Sequence, residues 1–267
     1  MKKAVKTRAR VMTMDLRLDD TGFGKIKILQ DPDGFCYGVD AVLLADFAAR
    51  CINGRRKRTD RIVDLGAGTG IVPLILSHKV EAGEICGIEV QDASFEIAEK
   101  NVEINGLTGR VHFYKGDVAE LVKTSTINFD GKDVRESFDV VTSNPPYTVS
   151  ASGVSCENSA KATARQETTA DLADFVRLSF QLLRDKGDLF MVHRPSRLVD
   201  ICEVCRKLHM EPKELRFVSG KPLEKPNIIL VHCVKNGNRE LKILKPLHVR
   251  EENDAFSREI NEIYERC

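Results

Sequence analysis

The tetrapeptide Asn144-Pro145-Pro146-Tyr147 is where residue type and order most directly imply chemistry. It follows FDVVT (residues 138–142), an apolar run that reads as a buried strand and is stopped by prolines that cannot donate to a ladder. The Asn144 side-chain oxygen and the Pro145 backbone carbonyl can each accept one N–H of a planar amino or amide group. Such a nitrogen is a poor nucleophile because its lone pair is delocalised. Two oriented acceptors fix it, help the lone pair localise and stabilise the positive charge that develops. Tyr147 can stack on one face of the planar group, leaving the other face to an electrophile. A nucleobase reaching such a turn must leave its stack, which costs less in a loop than in a duplex. The plainer alternative is a rigid turn closed by a packing tyrosine.

A second constellation lies upstream. Asp64-Leu65-Gly66-Ala67-Gly68-Thr69-Gly70 ends an apolar run and opens a helix-like stretch. Gly66, Gly68 and Gly70 allow a ligand to approach the backbone where a Cβ would collide, or simply make a tight turn. Glu89 ends the next strand-like run, where an acid can accept both hydroxyls of a ribose; otherwise it is a surface carboxylate. Asp117 follows the third run and can accept from an adenine amino group or cap a helix. All three features follow successive strands, at the carboxyl edge where α/β sheets bind ligands. The G-x-G-x-G spacing, with Asp64 two residues before the first glycine, differs from the G-x-G-x-x-G that cradles a pyrophosphate. An acid there repels phosphate and suits a cationic ligand.

The elements that must carry these residues alternate. Strands are expected at 62–65, 84–89, 111–114, 138–142 and 187–193, with helices at 71–78, 93–105 and 171–183. That is a doubly wound α/β pattern. A helix at 198–208 and strands at 214–218 and 228–234 follow. The last two are joined through Pro222 and Pro226 without a helix, which suits an antiparallel pair. The sheet should therefore be mostly parallel, with one antiparallel strand near the edge. Before Arg61 the sequence reads as a hairpin within 16–29, turning at Gly22–Gly24, and a helix at 40–50 that Asp40 could cap. Residues 1–60 are thus expected as an extension packed on a domain of residues 61–267. Residues 148–167 form a long polar loop after the candidate turn, and the stretch after Pro246 reads as a C-terminal helix.

Several segments carry a family likeness. Asp64–Gly70 resembles motif I of the class I methyltransferases, which implies S-adenosylmethionine as cofactor. Gly66, Gly68 and Gly70 would pass its methionine part, and Asp64, Glu89 and Asp117 would complete the site. The Asn-Pro-Pro-Tyr turn resembles that of the amino-methyltransferases, with Asn144 serving both cofactor and substrate. Phe35-Cys36-Tyr37-Gly38-Val39-Asp40-Ala41-Val42-Leu43-Leu44-Ala45, Ala164-Arg165-Gln166-Glu167, His193-Arg194-Pro195 and Lys225-Pro226-Asn227 resemble segments of the bacterial tRNA1(Val) adenine-37 N6-methyltransferase family. The resemblance runs from about residue 16 to 234. It implies that Gly38 and Asp40 close over the cofactor and that Arg165, Arg194 and Lys225 line the approach of RNA. As plain residues, those three could equally be surface charges or ion pairs. In this family a second aromatic commonly follows the turn; here Thr148 does.

The remaining composition sets limits. A net charge of +1 announces no polyanion partner globally, although residues 50–61 hold six basic residues against one acid. No apolar run is long enough to span a bilayer, and no apolar region follows the basic residues 1–10, so a cytoplasmic protein without a membrane partner is expected. The Cys202/Cys205 pair has no second close pair to complete four ligands, so no metal is expected, and a monomer is favoured. Alternatives are ribosomal RNA base methylation and glutamine-N5 methylation of a protein, whose enzymes usually carry a larger helical domain before the cofactor domain. A catalytically inactive RNA-binding factor is a further one. A dehydrogenase would leave the Asn-Pro-Pro-Tyr turn without a role.

Overall fold

The computed structural model describes residues 15–34, 36–54, 59–146 and 170–266. The chain opens with an antiparallel hairpin, β1 (Arg17–Asp20) and β2 (Lys27–Gln30), followed by α1 (Val39–Asn53). It then alternates through β3 (Thr59–Leu65), α2 (Ile71–Lys79), β4 (Ala82–Glu89), α3 (Asp92–Ile104), β5 (Val111–Lys115) and α4 (Val118–Leu121). A small hairpin, β6 (Asn128–Phe129) and β7 (Lys132–Asp133), precedes β8 (Phe138–Ser143). Next come α5 (Leu172–Leu182), β9 (Leu183–His193), α6 (Leu198–Lys207), β10 (Met210–Ser219) and β11 (Ile228–Lys235). The chain ends with β12 (Lys242–Ile243), β13 (Leu247–His248) and α7 (Arg258–Ile263).

The main sheet has the order β12-β10-β11-β9-β8-β3-β4-β5, with β13 also on β10. Only β11 runs antiparallel to its neighbours, as the proline-bearing connection before it implied. The order reverses between β3 and β8, which pair in parallel from Ile62↔Val140 to Leu65↔Ser143. Their carboxyl ends flank the crevice such a reversal creates.

Both faces of the sheet are covered, so its strands are apolar on both sides and side chains alternate between two cores. On β3, Ile62 joins the cluster with α1, α2 and α7, while Val63 and Leu65 join the one with α4, α5 and α6. On β9, Phe190 and Val192 face the first cluster, and Leu189 and Met191 the second. Asp171 and Asp174 close a capping box at the start of α5, which buries Phe175, Val176, Leu178 and Leu182 on one stripe. No helix among the described residues is long and apolar enough to cross a membrane.

Three expectations are corrected. Asp40 is not the cap of α1: Gly38, extended at φ −107°, precedes the helix, and Asp40 sits in its first turn, where a carboxylate favours the helix dipole. The C-terminal stretch is not one helix, because β13 joins β10 and only Arg258–Ile263 coils, capped by Ser257. The strand expected from Gly187 begins at Leu183, because a register shift between Phe138 and Val140 absorbs the polar residues before Gly187. The β6–β7 hairpin had no expectation; Asp133 supports it by accepting the Ile127 N–H.

Candidate functional site

A cleft opens at the switch point. Its lining includes Gly38, Asp40, Asp64, Gly66, Gly68, Glu89, Asp117, Asn144, Pro145 and Pro146. Residues distant in sequence converge because β3, β4, β5 and β8 all end on the same edge. Gly70 lies just behind the wall as the left-handed cap of α2, at φ +91°. A Cβ there would stand 2.6 Å from Phe113 Cζ, so this glycine is required by packing as well as by backbone conformation. Gly68, at φ +57°, differs: a Cβ would meet nothing within 4 Å, and the space beside it is open cleft.

The loop is pinned from β4. Gly66 and Ala67 each donate to the Ile88 carbonyl at 3.0 Å, and Gly68 N–H donates to Glu89 Oε2 at 2.7 Å. Glu89 Oε1 accepts Gln91 N–H at 2.8 Å. Glu89 is only 7% exposed, and burial raises its pKa against the pull of backbone N–H groups from Gln91, Gly68 and Val90. Asp64 is 3% exposed and accepts the Thr142 hydroxyl at 2.6 Å. Burial pushes its pKa up to about 7; the Thr142 bond lowers it and the Glu89 charge raises it. Two buried carboxylates facing a cleft, with no cation among these causes, form a site that favours positive charge. Asp117 caps α4 by accepting Ala119 N–H at 2.9 Å, the plainer of the two roles foreseen for it, and it also lines the cleft.

Asn144 and Pro146 are half-buried and Pro145 is buried where β8 stops. Ser143 ties this end to β3 by donating to the Leu65 carbonyl at 3.1 Å. Tyr147 and Arg165 lie outside the described residues. Arg194 and Lys225 do not line the cleft but stand exposed farther along the same edge, at the end of β9 and in the loop before β11. Arg194 Nη1 donates to the Asn227 carbonyl at 3.1 Å, joining the two segments. Burial, then the charges of Arg197 and Arg194, push the His193 pKa down to about 4. Its Nδ1 accepts Arg194 N–H at 2.8 Å, so the neutral ring carries its proton on Nε2.

Sequence reasoning missed Thr142, Tyr37, Ser94 and Phe175. The last three line the cleft, and Thr142 holds Asp64. A threonine beside the end of an apolar strand was the available signal for Thr142. Phe175 offered none, since its stripe on α5 also reads as core.

A family model described as a methyltransferase domain matches residues 56–244. The chain is 25% identical over 209 residues to a tRNA1(Val) (adenine(37)-N6)-methyltransferase of Parabacteroides distasonis, covering 78% of this chain and 81% of the relative. It is 27% identical over 208 residues to the protein of that name in Pasteurella multocida, covering 72% and 81%. A crystal structure of a predicted O-methyltransferase from Agrobacterium tumefaciens superposes with a TM-score of 0.65 at 21% identity, over 85% of this chain and 95% of that one. At that identity the superposition speaks for a shared fold. The family match extends over well more than half of the sequence, through every strand that ends on the cleft, and the chain therefore belongs to the methyltransferase-domain family.

Proposed function

We propose that this protein methylates N6 of an adenine in RNA, an anticodon-loop adenine of a tRNA, using S-adenosylmethionine. The observation that carries this is the Asn144-Pro145-Pro146 turn on the wall of the cleft that also holds the glycine loop, Asp64 and Glu89. The names of the relatives support the RNA and the position.

The residues fit the cofactor. Open space beside Gly68 leaves room for it, and the carboxylates suit a ligand with an ammonium group, a sulfonium and ribose hydroxyls. In this assignment Gly66, Gly68 and Gly70 shape the path of the methionine part, Glu89 accepts the ribose hydroxyls and Asp117 the adenine amino group. Gly38, just before α1, and Asp40, in its first turn, close the cleft, and Asn144 borders both ligands. When bound, the cofactor supplies a methyl group on a sulfonium that is already a good leaving group, so no strong general base is needed. Asn144 Oδ1 and the Pro145 carbonyl accept the two N6 hydrogens and hold the nitrogen lone pair toward the methyl. Tyr147 stacks on the flipped base, a role that rests on sequence alone. Arg165, on the same footing, and Arg194 and Lys225 hold phosphates. Residues 1–60 serve as an extension on the domain of residues 61–267, supported by the core that Phe23, Ile28 and α1 share with α2. We take the enzyme to be a cytoplasmic monomer.

The test is transfer of labelled methyl from S-adenosylmethionine to total tRNA, ribosomal RNA and protein in parallel, followed by nucleoside analysis. N6-methyladenosine in tRNA is expected. Label in ribosomal RNA alone moves the substrate, and label on protein glutamine overturns the RNA assignment.

A further inference from the structure

Two asparagines on α3 imitate a β-strand. Asn101 and Asn105 are one helical turn apart, about 6 Å along the axis. They face Leu29 and Lys27 of β2, two residues apart on a strand, which is also about 6–7 Å. The periods match, so each carboxamide pairs with one residue of the strand edge. Asn101 Oδ1 accepts Leu29 N–H at 2.6 Å, and its Nδ2 donates to the Leu29 carbonyl at 3.1 Å. Asn105 repeats this with Lys27, at 2.8 and 2.7 Å.

The two are not equivalent. Asn101 is fully buried, and its Nδ2 also donates to the Thr69 carbonyl at 2.9 Å, inside the glycine loop. At the end of β2, Gln30 Nε2 donates to Asp19 Oδ2 at 2.7 Å. This fixes the amide so that Oε1 accepts Tyr37 N–H at 3.0 Å. Thr69, Tyr37 and Gly38 all line the cleft, whereas Asn101 and Gln30 do not. One strand of the hairpin is thus tied through Asn101 to the glycine loop and through Gln30 to the segment that leads into α1.

We infer that Asn101 and Gln30 are positioning residues of the cofactor site, setting the separation of two stretches of its wall, and that the N-terminal hairpin is the spacer between them. This rests on the cofactor assignment above. It predicts a specific loss of cofactor affinity when either amide is altered, because chemistry at Asn144 is untouched once the cleft is filled.

The experiment measures the S-adenosylmethionine Kd by calorimetry, kcat and cofactor KM on RNA, and Tm, for the full-length protein and three variants. Asn101→Asp is isosteric and keeps the acceptor for Leu29 N–H but can donate neither to Thr69 nor to the Leu29 carbonyl. Gln30→Ala releases Tyr37. Asn105→Ala removes the other strand-like pair without touching the cleft wall. Asn101→Asp and Gln30→Ala should each raise Kd and cofactor KM roughly 10-fold, as for losing the one hydrogen bond in each case that reaches the cleft wall (to Thr69 and to Tyr37), with kcat at saturation within about twofold of wild type. Asn105→Ala should lower Tm and leave cofactor KM unchanged. A fall in kcat with unchanged cofactor KM in the first two is the mark of a merely structural role and overturns the inference, as does an equal KM shift in Asn105→Ala. Wild-type protein that fails to bind S-adenosylmethionine overturns the cofactor assignment itself, and the inference with it.

Discussion

Asp139 and Asp64 are both buried, on the adjacent parallel strands β8 and β3, but at opposite ends of the sheet. At the amino end, Asp139 Oδ2 accepts Asp60 N–H at 2.7 Å and Arg61 N–H at 2.9 Å, and its carboxylate pairs with the Arg184 guanidinium. Its charge is answered within the protein. At the carboxyl end, Asp64 receives one hydroxyl hydrogen bond and has another carboxylate, Glu89, as its charged neighbour. A sheet built for stability alone would treat the two alike. The amino ends of these strands hold the sheet together, whereas the carboxyl ends keep buried carboxyls without a cation beside them, the electrostatic demand on which the proposed cationic cofactor rests.

The largest expected effect tests whether the carboxyl end does chemistry as well as binding. Asn144→Ala should lower kcat by roughly 10²-fold or more while leaving the cofactor Kd near that of wild type, as for losing an oriented polar group at a reacting centre. Single-turnover methylation and calorimetry on one preparation separate the two; parallel losses would reduce Asn144 to a cofactor contact.

The aspartates themselves can be exchanged for neutral isosteres. Asp64→Asn should weaken cofactor binding roughly 10-fold or more and leave Tm equal to or above wild type, since the amide keeps an acceptor for Thr142 and cannot take up the buried charge that Asp64 acquires as pH rises through about 7. Asp139→Asn should do the reverse, lowering stability by about 2–3 kcal/mol with an unchanged Kd, because Arg184 loses its partner. If the two variants gave the same signature, the contrast between the two ends of the sheet would be lost.

A gentler perturbation is pH. The folded apo-protein keeps Asp64 protonated up to about pH 7, whereas the unfolded chain ionises it near 3.8. Between those values the unfolded state binds fewer protons at this carboxyl, so its contribution to apo stability should fall as pH rises from about 4 to 7. Wild type should show that loss relative to Asp64→Asn, while the depressed His193 works in the opposite direction in both. A cationic cofactor demands the ionised form, so Kd should tighten with rising pH and worsen up to about 10-fold per unit below 7. Calorimetry in buffers of different ionisation heat should also detect proton release on binding near pH 6; a Kd flat from pH 5.5 to 8 would remove Asp64 from the charge balance.

What could be read beforehand divides along the same line. Alternation of apolar runs foretold β3 to β5, β8 and β9, because a strand buried on both faces has no polar positions to spare. Gly66 and Gly70 were legible because a positive φ leaves few other residues possible. Thr142 and Phe175 were not, since their importance depends on which neighbour the fold supplies. Asn101 and Asn105 looked like ordinary polar helix positions; only the register of β2 against α3 reveals what they bind. The strand at Leu183 and the break-up of the C-terminal stretch were decided by pairing partners far away in sequence.

The smallest effects belong to the exposed cations at the same edge. β11 runs opposite to β9, so the loop carrying Lys225 enters the sheet at the end where Arg194 leaves it. Arg194 holds the Asn227 carbonyl in that loop, which keeps the two charges on one surface beyond the Asn144 turn. Each phosphate neutralised by such a side chain adds about 0.7–0.9 to the slope of log affinity against log salt. Arg194→Ala and Lys225→Ala should therefore each reduce the slope for tRNA by nearly one and raise the RNA KM a few-fold, with the cofactor Kd unchanged. The double variant should sum the two, because the side chains act on different phosphates. An unaltered slope with a raised KM would mean that Arg194 acts by holding its loop through Asn227 rather than by meeting a phosphate, and Lys225→Ala, which lacks that hydrogen bond, would then separate the loop's shape from its charge.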